Sequence, residues 1–379
     1  MAEVRPFRGL IYNPKVIENL EDVISPPFDT ISRELYRELL SRHPYNIVRL
    51  EFPIGGQDKY SEAKNILNDW IEKRILIFHE EEALYFYERT YEVYNVRRVL
   101  RGFFAIVRLE PFEKRIILPH EFTFSKPKED RLNLLRATRS NISPVLGIYF
   151  NNDDNGIDIW KEVGAYKTIF DGDSFRFWAL EGDIARSVMR SLADKVILIA
   201  DGHHRYETAL TYKEEMVKKY GRDGPYSYVM MFLVEANTGG LILLPTHRVI
   251  KNVPIDFQRR LEEVFSPEKD TQVHLGDNEH TVYYYRKGGL YRFTTEGLNV
   301  VSLHRFLDLF QNLTFYYTNS EKEAIALVDS GDYEMAFILT PVSMESIKSV
   351  VESGDRLPHK TTYFYPKVGA GFVIYKHNL

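Results

Sequence analysis

The sequence predicts an α+β protein of two domains: a mixed-sheet core with long β-hairpins, and a smaller C-terminal α/β domain. Three observations carry this expectation. Alternating apolar and polar runs (83–94, 97–109, 280–295) mark strands, while runs of helical period (59–77, 203–220) mark helices. The length of 379 residues exceeds one ordinary domain. The texture changes near 245–252, which divides the chain into 1–248 and 249–379. The last strands, about 358–379, belong either to the second domain or back with the first.

Each element has a local reason. Residues 5–14 are irregular, and ISPPFDTIS (24–32) breaks any helix because Pro26 and Pro27 hold the backbone extended. Ser32 caps a helix over 33–42, and a second helix fits 59–77. Two long strands meet around Tyr94–Asn95 as a hairpin. Pro127 suits the first turn of a helix, with Glu129 and Asp130 at its positive end. SPVLGIYF (143–150) reads as a buried strand, ended by the loop NNDDNG. A helix over 183–193 precedes the strand KVILIA (195–200) and a helix that stops at Gly221. Residues 228–236 and 241–245 flank Asn-Thr-Gly-Gly, a hairpin signal. Beyond lie a helix over 254–265, a hairpin turning at Gly288–Gly289, helices near 302–311 and 320–330, a strand at 335–341, a helix at 343–353 and a final strand pair.

Composition narrows the function. Hydrophobic residues make up 44%, charged residues 27% and aromatics 14%, a soluble globular profile and not a disordered one. No apolar run reaches the roughly 20 residues that cross a bilayer. The N-terminus MAEVRPFRGL has no apolar signal core, so the expected address is cytoplasmic, by elimination. Cysteine is absent, which excludes disulfides, thiolate nucleophiles, zinc ribbons and iron–sulfur ligation. With dense Lys, Arg and Glu, that absence fits a thermophile. A net charge of -5 does not call for a nucleic-acid face, and the expected partners are a small-molecule substrate and a nucleotide, with no membrane. A homodimer is allowed.

The block A-D-G-H-H-R (200–205) lies between an apolar strand and a helix. Free backbone N–H groups and the helix dipole favour an anion there. Gly202 lets backbone approach, Arg205 offers a phosphate-matching fork, and His203 and His204 add donors. The other readings are Asp201 as a helix cap, and Asp201 with the histidines as a catalytic metal site. Neither a Walker loop nor a G-x-G-x-x-G fingerprint occurs.

A second cluster holds His120, Glu121, Thr123, Lys126, Lys128, Asp130, Arg131 and Arg136. Cations at a helix start oppose the dipole, which suits a bound anion or else a solvated face. Asp29 and Thr30 sit on the rigid proline loop. His247 and Arg248 follow a strand, and Lys360 precedes the last strands, where it either steers a phosphate or guards an edge.

RPFRGL, ISPPFDTIS, HEFTFSKPKEDRLNLLRATRSNISP, IADGHHRYETAL, LPTHRVI and KTTYFYPK occur in this order. In these blocks, from Arg5 to about Tyr375, the chain resembles a bacterial and archaeal family of proteins of unknown function often labelled ParB/RepB-like. The resemblance implies a ParB/sulfiredoxin-like fold, whose G-x-x-R core binds nucleotide phosphates; Gly202, His203, His204 and Arg205 match that core. It also implies similarity to an ADP-dependent free-serine kinase with a like D-G-H-H-R block. The sulfiredoxin cysteine is absent, and no basic helix-turn-helix follows, so sulfiredoxin activity is excluded and centromere binding is not expected.

The expected function is therefore phosphoryl transfer from ADP or ATP with Mg²⁺ to a small hydroxyl metabolite. Glu121, Asp201 and Asp29 are the candidate proton acceptors. Gly202, His203, His204, Arg205, His120, Arg131, Arg136, His247, Arg248 and Lys360 are the candidate ligand contacts, and no residue is assigned to a metal. A nucleotide-dependent switch or DNA-associated module, and a metal-dependent hydrolase, are the alternatives.

Overall fold

The computed structural model describes every residue except 1, 57, 122–125, 151–166, 194, 275, 277 and 379. Thr123 and the loop NNDDNG therefore lie outside the described residues. The fold is mixed α/β with a large mixed sheet. The chain forms two compact units. Of the described residues, the first holds those within Met1–Pro119, Thr123–Leu241 and Pro366–Leu379; the second holds His120 and Glu121 with those within Ile242–Tyr365.

Among the described residues, nine strands form the sheet of the first unit. Its order is Ile117–Pro119, Ile197–Asp201, Val145–Tyr149, Tyr228–Glu235, Val96–Arg108, Ala83–Val93, Phe175–Glu181 and Lys167–Asp171, with Val4–Arg5 also on Val96–Arg108. The Ala83–Val93 and Val96–Arg108 hairpin closes at Val93↔Val96. Tyr94 and Asn95 both take positive φ (51° and 60°), the twist a two-residue hairpin turn needs. Side chains then alternate. Leu84, Phe86, Phe103 and Ala105 pack with Ala185, Val188, Tyr206, Ala209 and Tyr212 of the helices Gly182–Leu192 and His203–Tyr220. Tyr87, Phe104 and Phe177 turn the other way, onto Phe232 and Phe372.

The second unit has six antiparallel strands in the order Glu268–Asp270, Gly289–Thr294, Thr281–Arg286, Met335–Leu339, His247–Lys251 and Thr314–Thr318. Phe257 of helix Phe257–Phe265 packs on Phe306 and Phe337. Val249 and Ala336 meet Ala324 and Val328 of helix Glu321–Asp329.

Three expectations change. The helix over 59–77 ends at Glu72, because Arg74 takes φ 57° and the chain continues as strand Leu76–Phe78. Residues 228–236 and 241–245 do not make a hairpin. Ile242–Pro245 pairs instead with Thr362–Tyr365, while Gly240 lies so close to Val99 O that an added Cβ would stand 2.0 Å from it. The final strands do not pair with each other either: Tyr375–Lys376 pairs with Ser140–Asn141. Among the described residues, no helix is long and apolar enough to cross a membrane.

Candidate functional site

The strand Ile197–Asp201 is buried along four of its five residues, between Ile117–Pro119 and Val145–Tyr149. A register shift between Ile199 and Asp201 loosens the ladder just before the turn. Gly202 follows at φ 87°, and a Cβ there would stand 2.9 Å from the Arg205 guanidinium, so the turn needs glycine twice over. The helix His203–Tyr220 then starts, with Tyr206 N–H donating to Gly202 O at 3.0 Å. The N–H groups before Tyr206 have no acceptor within the helix, and its first turn contains no acidic residue.

Asp201 meets two cations here. Lys367 Nζ is 3.3 Å from Asp201 Oδ2, and Arg205 Nη2 is 3.5 Å from the same oxygen. Burial acts to raise the Asp201 carboxyl, but Lys367, Arg205 and His203 outweigh it and hold it down at about 2. Arg205 is anchored as well, since Nη1 donates to Pro144 O. Lys367 Nζ also lies 3.1 Å from Asp29 Oδ2, so one ammonium bridges two carboxylates. The sequence prepares this. Ser25 and Ala370 pair through their backbones, and a Cβ at Gly369 would be 2.0 Å from Ser25 O. That close approach sets the proline loop, with Asp29 on the turn Phe28–Thr30, beside Lys367.

Below the turn lies a cavity of about 50 Å³ lined by Glu51, Arg131, Ser143, Arg205 and Thr208 among others. Arg131 is buried. Its Nη1 donates to Glu51 O at 2.7 Å, its Nε donates to Asp130 Oδ2 at 3.0 Å, and its guanidinium stacks 4.2 Å from the Phe28 ring. Arg136 stands elsewhere on the same helix, half-exposed and paired with Glu215.

The remaining expected residues belong to the second unit. Glu121 Oε1 accepts from Thr362 N and from Thr362 Oγ1, each at 2.7 Å. His120 Nε2 is 2.6 Å from that hydroxyl oxygen, an arrangement satisfied when His120 carries its proton on Nε2. His247 is fully buried, with Nδ1 accepting from Leu339 N; burial and then Arg248 push it down to about 4. Arg248 is also fully buried. It donates to Thr246 O, to Lys360 O at 3.0 Å and to His304 Nε2 at 3.2 Å. Lys360 itself is exposed and holds φ 56°.

Asp29, Arg131 and Asp201–Arg205 thus gather in one unit. His120, Glu121, His247, Arg248 and Lys360 gather in the other. Sequence reasoning missed Glu51, Ser143 and Lys367. Glu51 had a signal, a lone carboxylate in the apolar run V-R-L-E-F-P (48–53), apart from Arg49. Lys367 had a fainter one, the Gly369 and Gly371 that follow it. Among the described residues, no three His, Asp or Glu side chains are grouped so as to hold a metal ion.

The chain belongs to the family described as Protein of unknown function (DUF1015), which it matches over residues 4–311. No curated protein matches it. Solved structures with similarity include a free serine kinase in complex with AMP, 14% identical with a TM-score of 0.41, covering 73% of this chain and 90% of that one. A conserved hypothetical protein from Pyrococcus furiosus is 15% identical with a TM-score of 0.42, covering 70% and 93%. A C-terminally truncated SbnI from Staphylococcus aureus is 12% identical with a TM-score of 0.42, covering 71% and 86%.

Proposed function

We propose that this member of the DUF1015 family binds a nucleotide phosphate at the Gly202 turn and transfers a phosphoryl group to a small hydroxyl metabolite. The observation that carries the reading is the turn itself. A left-handed glycine opens an 18-residue helix whose first turn bears His203, His204 and Arg205 and no acid. A helix start of this kind accepts phosphate oxygens through backbone N–H groups and partial positive charge. Arg205 and Lys367 are held within reach of one carboxylate, Asp201, which a phosphate can replace as their partner. The Gly202-x-x-Arg205 order also supports the ParB/sulfiredoxin-like assignment of the core.

In this reading Arg205, Lys367, His203 and His204 hold the phosphates, and Mg²⁺ enters on the phosphate oxygens with the nucleotide. Asp201, or Asp29 across Lys367, accepts the hydroxyl proton. A carboxylate held at about 2 is a weak base. That suffices in a loose phosphoryl-transfer transition state, where positioning and charge stabilisation carry most of the catalysis.

The first test is thermal unfolding with AMP, ADP and ATP at millimolar Mg²⁺. Binding at a hundredfold excess over Kd stabilises the chain by about 2.7 kcal/mol, a rise of several degrees in Tm. Phosphorus NMR with a panel of hydroxy acids and amino alcohols then follows the transfer. A flat Tm across all nucleotides would overturn the proposal.

A further inference from the structure

We infer that Glu51 is a positioning residue that sets how strongly the Gly202 turn holds an anion, an inference that rests on reading that turn as a phosphate site. Glu51 ends the short helix Val48–Glu51 and is 1% exposed. Its Oε1 accepts from Ser143 Oγ at 2.8 Å and lies 4.0 Å from Arg131 Nη1. The small cavity it lines is also lined by Arg131 and Arg205. One carboxyl therefore shares a small space with both guanidinium groups, and Arg205 is the one that continues to the turn through Asp201.

The charges facing Glu51 come from three elements. They are Arg131 on helix Lys126–Thr138, Arg205 on helix His203–Tyr220, and Asp29 on the Phe28–Thr30 turn. Each guanidinium already has a carboxylate of its own, Asp130 for Arg131 and Asp201 for Arg205. An ionised Glu51 adds a third negative charge to the pair, and a protonated Glu51 removes it. Glu51, Arg131 and Arg205 are all largely buried, so the change is weakly screened and is felt at the turn. Burial raises the Glu51 carboxyl above the ordinary range, against the pull of Arg131, Arg205 and the Ser143 hydroxyl. The change in charge therefore falls at a higher pH than for an exposed glutamate.

A buried glutamate that only braced Arg131 would leave anion affinity alone, and this separates the two roles. The probe is sulfate, whose own charge is constant through the titration, measured calorimetrically on the full chain. Wild-type affinity is expected to rise as pH falls. Glu51→Gln, locked in the uncharged form, binds sulfate roughly three- to tenfold tighter than wild type where Glu51 is ionised, and matches it at low pH. Ser143→Ala keeps the carboxyl but removes its hydrogen-bond donor, and moves the wild-type midpoint to higher pH. If Glu51→Gln fails to fold, the Ser143→Ala midpoint still decides. Sulfate binding with one affinity and one pH profile in all three chains would overturn the role of Glu51 and leave the phosphate reading standing. Absence of both sulfate and ADP binding in wild type would overturn that reading, and the role of Glu51 with it.

Discussion

At the residue scale, Gly202 separates two costs that usually come mixed. Gly202 and Gly221 flank the same helix, both with positive φ (87° and 70°). An added Cβ meets the Arg205 guanidinium at Gly202 and nothing within 4 Å at Gly221. Gly221→Ala is therefore expected to cost about 1 kcal/mol, the backbone term alone. Gly202→Ala is expected to cost about 1 kcal/mol more and to weaken nucleotide binding, because Arg205 must leave its place beside Asp201. Urea unfolding of both variants checks the difference; equal losses would show that the clash is relieved at no cost. The turn was legible in the sequence because its chemistry is local, a strand, a glycine and a helix start within a few residues. Lys367 was not, since it reaches Asp201 across a separation of 166 residues, set by the backbone pairing of Ser25 with Ala370.

At the element scale, the strand His247–Lys251 shows what one buried cation does. Its neighbours are Thr314–Thr318 and Met335–Leu339, with Arg248 opposite Tyr317 and Phe337. Arg248 is 0% exposed, and burial lowers its guanidinium to about 10 against the influence of Tyr317 and Glu121, so it stays charged at neutral pH. Among the described residues no carboxylate lies within ion-pair distance of it. Its partners are carbonyl oxygens at Thr246, His359 and Lys360, and the ring of His304. Arg248→Met should cost about 3–5 kcal/mol in urea unfolding, since it orphans those carbonyls, and Arg248→Lys should recover only part, lacking the fork. An Arg248→Met variant as stable as wild type would show that the buried charge contributes nothing. The sequence displays a basic pair after a strand here. That both are buried, on opposite faces of one strand, depends on what packs against each face, and that is a long-range property. The Arg33–Arg42 helix is the contrary case: Ser32 Oγ caps it at Leu35 N, and cap and period were both local.

At the scale of the whole molecule, three histidines govern the response to acid. His247 is lowered to about 4 by burial and Arg248. His304 is lowered to about 3 by burial, Arg248 and His359, and His377 to about 3 by burial and Lys376. The unfolded chain protonates such residues near 6.5 while the folded chain does not, so stability falls as pH drops from about 6 to about 4. Each contributes about 1.4 kcal/mol per pH unit in that window. His304→Gln, whose amide oxygen still accepts from Arg248, should reduce the slope of unfolding free energy against pH by that amount. An unchanged slope between pH 6 and pH 4.5 would contradict the assignment. Asp201 works in a lower window: its depressed carboxyl stabilises the fold above the usual carboxylate range, and that stabilisation is lost as pH falls toward about 2. The mixture of helices and strands and the long Tyr94–Asn95 hairpin were legible from period alone. The partners of the final strands were not, because period marks a strand without saying what it pairs with. The ribbon between Ile242–Pro245 and Thr362–Tyr365 also bears on the order of folding. An open loop spanning Ile242–Tyr365 would carry about 3 kcal/mol more closure entropy than a four-residue link. Once that ribbon has zipped, the long excursion shrinks to a hairpin's length, the segment from Pro366 onward follows Leu241 almost directly, and the effective chain between Ser25 and Ala370 is shorter by the length of the excursion.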